Sequence, residues 1–316
     1  MRSTELLLNV QATVQTSGLL TTIQDLGRYG YAHLGVSPCG AADAVAARIA
    51  NKLVGNAEGA PVLEATLLGP TLEFASHAVV AVTGSSVECM LDEHTVPTWR
   101  SFEVPAGSVL RLGSMTNYAR CYIAVAGELA QQASLGSYST DLAARLGPFG
   151  GRPLAAGDCL EWRSGRQHKP LRTDAEVLGR LYHRGPLRIT PGPHRDFFSA
   201  EAVQRFLAQR YIVSHNANRS GIRLQGEPLP LDNRQLVTEG VPLGAVQIPG
   251  DGKPVILFVD QQTTGGYPII GTIITADLHR VGQLIPNAEV QFAEVDLEQA
   301  ARALELQQDL LHKVVL

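Results

Sequence analysis

The strongest constraint on this chain is its punctuation. Its 31 glycines and 18 prolines are scattered along 316 residues and cut the apolar sequence into short runs. Segments 71–74, 78–83, 108–112, 120–126, 187–190, 255–259, 272–275 and 289–292 are each rich in Val, Ile, Leu, Thr or aromatic residues and bounded by turn formers. Runs of this kind read as short strands. A parallel sheet wound from strand–helix–strand units would need a long amphipathic helix between most of them, and few such stretches occur. Residues 41–53 place Ala42, Val45, Ala46, Ile49 and Leu53 on one face before Gly55. Residues 199–209 do the same with Val203, Phe206 and Leu207 behind a capping Ser199. Residues 297–308, behind Asp296, and the shorter 174–181 complete the helical expectation. The chain is therefore expected to be mainly β with a few helices, arranged as barrel or sandwich layers.

A length of 316 residues, 45% of them apolar, suggests about two domains of ordinary size. A polar, basic stretch at 163–186 separates the turn at Gly157-Asp158 from a new apolar strand at Leu187. It divides an N-terminal mostly-β domain over residues 1–170 from a C-terminal β domain over residues 185–316. The 26 basic residues against 30 acidic ones give a formal charge of −4, with no clustered positive charge for nucleic acid or anionic lipid. The apolar run at 6–8 is too short for the core of a secretion signal, and no stretch approaches a membrane span, so a cytoplasmic location is expected. Cys39, Cys89, Cys121 and Cys159 form no CxxC pair, and neither a zinc site nor a disulfide framework is expected.

Three polar clusters stand out. The first, residues 20–43, crowds Gln24, Asp25, Arg28, His33 and Asp43 between glycines that let the backbone turn sharply. Either the loop presents a carboxylate, a guanidinium and an imidazole to a small polar substrate, or its Asp and Arg hold it closed. The second, residues 214–226, carries Asn218 and Arg219 and reads either as an oxygen-binding loop or as a silent hairpin turn. The third runs from Gln247 to Asp260-Gln261-Gln262-Thr263-Thr264-Gly265-Gly266-Tyr267. It gathers many hydrogen-bonding groups at the end of a strand, where a rigid scaffold can hold a site, and Gly265-Gly266 can offer backbone N–H groups to an anion. Phosphate-loop, dinucleotide-fingerprint, HExxH and GxSxG patterns are absent. No metal site is expected on this chain, and it has no Met-Lys-Met biotin attachment tripeptide.

These segments resemble the family of 5-oxoprolinase C subunits, also described as allophanate hydrolase subunit 2 or biotin-dependent carboxyltransferase. The likeness runs through GLLTTIQDLGRYGYAHLGVSPCGAAD (18–43), GSYSTDLAARLGPFGGRPLAAGD (136–158), RITPGPHRDFF (188–198), SHNANRSGIRLQG (214–226) and EGVPLGAVQIPGDGKPVILFVDQQTTGGYPIIGTI (239–273). This chain has Cys39-Gly40-Ala41-Ala42-Asp43 where the family usually has Ser-Gly-Ala-Met-Asp, and Asn287 where a Gly is usual.

The resemblance implies two mostly-β domains with cyclophilin-like barrels. It also implies two partner proteins, a KipI-like B component and a LamB/YcsF-like A component. Together the three open 5-oxo-L-proline to L-glutamate. ATP and Mg²⁺ act at the level of that complex, and the chain is inactive alone. Opening an unreactive amide needs donors for developing oxygen charge and carboxylates to orient or deprotonate. Within the matched motifs the expected catalytic residues are Asp25, Arg28, His33, Asp43 and Asp260. The expected substrate-binding residues are Gln24, Asn218, Arg219, Gln247, Gln262, Thr264, Gly265, Gly266 and Tyr267. Two alternatives stand beside this: a carboxyltransferase half moving a carboxyl group to urea from biotin carried on a partner, and a non-enzymatic regulator that binds a KipI-like kinase inhibitor.

Overall fold

The computed structural model describes residues 8–164, 170–231 and 236–316. The apolar run beginning at residue 6 lies largely outside these ranges, as do residues 165–169 near the start of the polar stretch at 163–186. The chain forms two compact units. One comprises residues 1–28, 39–178 and 311–316; the other comprises 29–38 and 179–310. Both are mainly β with few helices, as the punctuation predicts, and no described helix is long and apolar enough to cross a membrane.

The first unit stacks two antiparallel sheets. Its strands are β1 (Leu8–Thr16), β2 (Leu20–Gln24), β3 (Val62–Thr66), β4 (Thr71–Phe74), β5 (Ala78–Gly84), β6 (Val87–Leu91), β7 (His94–Thr95), β8 (Ser101–Val104), β9 (Val109–Met115), β10 (Arg120–Val125), β11 (Glu128–Leu129) and β12 (Cys159–Ser164). Seven form a sheet in the order β11-β12-β1-β4-β9-β6-β7, and five form another in the order β2-β3-β10-β5-β8. The period of two decides which side chains face inward. Val10, Ala12 and Val14 of β1 meet Ala78, Val80 and Val82 of β5 and Cys121, Ile123 and Val125 of β10 in one core. Both β5 and β10 are buried along their whole length. Helix α1 (Ala44–Leu53) covers the outer face of their sheet, with Thr83 Oγ1 donating to Ala46 O at 2.8 Å. A strand covered on both faces reads as a continuous apolar run, which is how 78–82 and 121–126 appear. The sequence places the start of α1 at residue 41. The helix begins at Ala44 because Asp43 caps it, accepting from Ala46 N at 2.8 Å, while Ala42 N is drawn to Glu64 Oε2 at 2.8 Å. A cap of this kind stabilises by about 1 kcal/mol.

The second unit holds an eight-stranded sheet. Its strands are β13 (Leu187–Pro191), β14 (Tyr211–Val213), β15 (Gly221–Gln225), β17 (Ala245–Gln247), β18 (Val255–Leu257), β20 (Ile269–Ile273), β21 (Glu289–Val290) and β22 (Phe292–Glu294), and a short ribbon pairs β16 (Glu239–Gly240) with β19 (Thr264–Gly265). The order is β21-β14-β15-β18-β17-β20-β13-β22. The two edge strands are neighbours in sequence, separated only by Gln291. The segment 289–294 therefore pairs with β14 at one end and β13 at the other, which curls the sheet into a nearly closed barrel. The segment 289–292, expected as one strand, is split here because it serves both edges. Phe206, Tyr211 and Phe292 pack as an aromatic knot inside, with Phe206 and Phe292 stacked at 4.6 Å. Ser199 caps the helix Ala200–Ala208, accepting from Ala202 N at 3.2 Å. The last helix, Leu297–Lys313, runs beyond the expected 308, and Asp296 Oδ1 accepts from Gln299 N at 2.7 Å at its start.

Candidate functional site

In the first unit, the 24–28 stretch is organised around the backbone of 137–140. Asp25 is 8% exposed. Its Oδ1 accepts from Ser137 Oγ at 2.7 Å, Ser139 Oγ at 2.6 Å and Gly27 N at 2.8 Å, and its Oδ2 accepts from Tyr138 N at 2.7 Å. Four protein donors occupy one carboxylate, so Asp25 works as the hub that holds the two loops together. Gln24, fully buried, donates to Thr22 Oγ1 at 3.0 Å and to Thr140 O at 3.2 Å. The buried Arg28 guanidinium donates to Ser139 O. Gly40, at φ +96°, lies where a Cβ would sit 3.0 Å from Gly27 N, so only glycine lets these turns approach so closely.

Asp43 belongs to a neighbouring buried network. Its backbone N–H donates to Tyr122 Oη at 2.7 Å, and Tyr122 Oη donates to Glu64 Oε2 at 2.8 Å. Arg120 Nε lies 3.4 Å from Glu64 Oε1. Burial, with the Glu64 and Asp43 charges beside it, pushes the Tyr122 phenol well above its ordinary value, so the hydroxyl keeps the proton it donates. Sequence reasoning missed Glu64 and Tyr122, which are isolated in apolar strands, and Ser137 and Ser139, whose polar run at 137–141 carries nothing that points to a distant Asp25.

The second unit carries a cleft that gathers several of the expected binding side chains. Asn218, Gln247, Gln262 and Tyr267 line it, joined by Asn216, Ser220, Arg223, Pro249, Val255 and Leu257, around a volume of about 290 Å³. The hairpin turn weighed for 214–226 is present: Asn218 Oδ1 accepts from Ser220 N at 2.9 Å and Gly221 N at 3.1 Å. That turn also forms a wall of the cleft. Arg223 had a signal, since the period of two along β15 puts it on the same side as Gly221 and opposite the buried Ile222 and Leu224.

Next to the cleft-lining Asn218 and Ser220 in sequence, Arg219 forms a two-pronged pair with Asp260, Nε to Oδ2 and Nη2 to Oδ1, both at 2.8 Å. Asp260 N also donates to Arg219 O at 3.0 Å. The pair locks the end of β18 to the start of β15. A Cβ at Gly265 would lie 2.6 Å from Gln247 Nε2 and 3.4 Å from Gln262 Nε2, so a side chain there would displace the Gln247 amide. Gln247 is buried and donates to Tyr267 O at 3.5 Å. Thr264 and Gly266 are exposed on the same segment. His33 lies apart from this cleft's lining, exposed in a short turn at Ala32–Leu34.

The arrangement offers side-chain amides of both hydrogen-bonding senses, a guanidinium at the rim and apolar walls. It is suited to a small, planar, polar ligand. Comparison with known proteins gives the family of the chain. The family model described as "Carboxyltransferase domain, subdomain A and B" matches residues 34–294. The C subunit of the Escherichia coli 5-oxoprolinase is 38% identical over 293 residues, covering 92% of this chain and 94% of that protein. The urea amidolyase of Saccharomyces cerevisiae is 35% identical over 317 residues, covering 94% of this chain but 17% of that protein. The crystal structure of the Kluyveromyces lactis urea amidolyase superposes with a TM-score of 0.89 at 30% identity, covering 95% of this chain and 20% of that one. With most of its length matched in all three ways, the chain belongs to the carboxyltransferase domain family, subdomains A and B.

Proposed function

We propose that this chain is the C subunit of an ATP-dependent 5-oxoprolinase, which opens 5-oxo-L-proline to L-glutamate together with its KipI-like and LamB/YcsF-like partners. The observation that carries the proposal is the amide-lined cleft of the second unit. A lactam presents one C=O and one N–H in a plane, and a primary side-chain amide can meet both with two hydrogen bonds. Gln247, fixed by its neighbours, and Gln262 supply such groups. Arg223 at the mouth can take the substrate carboxylate. Pro249, Val255 and Leu257 can cover the ring methylenes. Support also comes from the near full-length match to a free-standing 5-oxoprolinase component. Asp25, Asp43 and the Arg219–Asp260 pair then act as positioning groups, because their polar atoms are engaged by the protein itself.

ATP and Mg²⁺ enter at the level of the complex. Among the described residues no three His, Cys, Asp or Glu side chains gather to hold a metal ion. The part assigned to this chain's own residues is to bind, to orient and to exclude water. Mixing this chain with both partners, 5-oxo-L-proline and ATP is expected to release glutamate. Omission of this chain abolishes the release, and its failure to appear in the complete mixture overturns the proposal.

A second reading is favoured by the family description and the urea amidolyase likeness: a carboxyltransferase half that moves a carboxyl group to urea from biotin on a partner. Urea has the same planar amide but no carboxylate. Arg223→Met separates the two. It weakens binding of 5-oxo-L-proline and leaves urea binding unchanged.

A further inference from the structure

His194 lies outside the cleft lining and outside every role assigned above. It is 7% exposed and opens the turn Arg195–Phe197, with its ring edge-on to Phe197 at 5.7 Å. Its Nδ1 receives Ile269 N at 3.1 Å, and its Nε2 lies 3.1 Å from Glu239 Oε1. A backbone N–H can only donate, so Nδ1 must carry the lone pair and Nε2 the hydrogen that faces Glu239. Glu239 is the register partner of Gly265. One imidazole therefore ties both ends of the segment 264–269: directly at Ile269, and through Glu239 at Gly265. Between those ends lie Gly265, packed against the Gln247 and Gln262 amides, and Tyr267, whose carbonyl receives Gln247 Nε2.

We propose that His194 is a positioning residue that holds the 264–269 wall of the cleft in its binding geometry only while the imidazole is neutral; the consequence for ligand binding rests on the amide-site function proposed above. A second proton on the ring turns Nδ1 into a donor facing the Ile269 N–H. That hydrogen bond is lost, whereas the contact to Glu239 is kept. Glu239 of β16 is the charged group that faces the ring, and Arg195 and Asp196 follow the histidine in its own turn. Arg195 is paired with Glu294 of β22 at 2.6 Å. Acidification therefore loosens the wall at Ile269 first and weakens ligand binding as a result.

The test compares the full-length wild type with His194→Asn and His194→Ala. Asparagine can place an acceptor near the Nδ1 position but does not titrate. Amide hydrogen exchange across 264–270, corrected for intrinsic rates, is followed without ligand from pH 8 to 5.5, with β1 and β12 as the control for intact folding. Wild-type exchange is expected to quicken about tenfold on acidification, the equivalent of one lost hydrogen bond. H194N is expected to stay slow and flat, and H194A to be fast throughout. A pH-flat wild type, or an H194N variant that follows the wild-type acid response, overturns the positioning role. Binding of 5-oxo-L-proline is measured in parallel. The expected exchange pattern with no binding at any pH sinks the amide-site function and leaves the positioning role standing. Binding that weakens with acid in the wild type but not in H194N supports both.

Discussion

Replacing Asp260 by alanine removes one side of a pair whose geometry sets the size of the effect. Arg219 is 6% exposed, and the Asp260 side chain is 11% exposed. Stripping one partner from a well-buried ion pair costs about 3–5 kcal/mol, because the other charge is left without compensation. Arg219 has further interactions of its own, and the mouth of the site admits some solvent. Both effects bring the expected loss down to about 2–3 kcal/mol. Amide exchange in Gly221–Gln225 and Val255–Leu257, the strands this pair joins, reads that loss directly as opening that is easier by roughly 30- to 150-fold. Asp260→Asn keeps the shape and one acceptor and should lose about half as much. Replacing both residues by apolar ones, Arg219→Met with Asp260→Leu, should recover much of the loss, since nothing charged is then stranded. A D260A variant whose exchange in both strands changes less than about twofold, under 0.5 kcal/mol, would refute the claim that this pair holds β15 and β18 together.

Other expectations are as direct. Gly265→Ala puts a methyl 2.6 Å from Gln247 Nε2; ligand affinity should fall at least tenfold by calorimetry while the melting temperature moves little, and unchanged affinity would show that Gln247 does not read the ligand. Burial raises the Asp277 carboxyl, but bonds from the Arg188 side chain and backbone, with the charge of Arg280, outweigh it and hold the group below its ordinary value. A folded value below the unfolded one of about 3.9 means stability present above that pH and lost as pH falls through the folded value. Asp277→Asn should remove that acid-dependent part in urea titrations. Burial pushes the Cys89 and Cys121 thiols up to about 12, so iodoacetamide at pH 8 should label the exposed Cys159 and spare both in the native protein, as read by peptide mass spectrometry.

The sequence discloses the strands that are buried on both faces, since 78–82 in β5 and 121–125 in β10 are unbroken apolar runs. It also discloses the helices, two of them by the caps Ser199 and Asp296; the cap Asp43 is not announced, because helical spacing reaches back to residue 41. Strand β1 is missing from the short apolar runs, although Val10, Ala12 and Val14 alternate there with Gln11, Thr13 and Gln15 in the period of two of a half-buried strand. Two-residue strands such as β16 and β19 carry no periodicity at all, yet they determine where Glu239 and Gly265 sit. Residue type singles out Gln262 and Tyr267, which line the cleft, because many hydrogen-bonding side chains crowd one turn. Residue type cannot say that the Asp25 carboxylate is consumed by Ser137, Tyr138, Ser139 and Gly27, since that depends on a distant loop folding back. The link from His194 to Glu239 is likewise set by topology.

The six residues from Glu289 to Glu294 have one more consequence. A β margin with unpaired backbone groups recruits foreign strands, and this segment shields two margins at once while being covalently a single piece. Its length cannot drift by one residue without setting both pairings out of step, because such a slip turns every side chain toward the wrong face. Resistance to self-association in the second unit is thus concentrated in one short stretch, and a proline or an insertion at Gln291 would leave two adhesive borders open together.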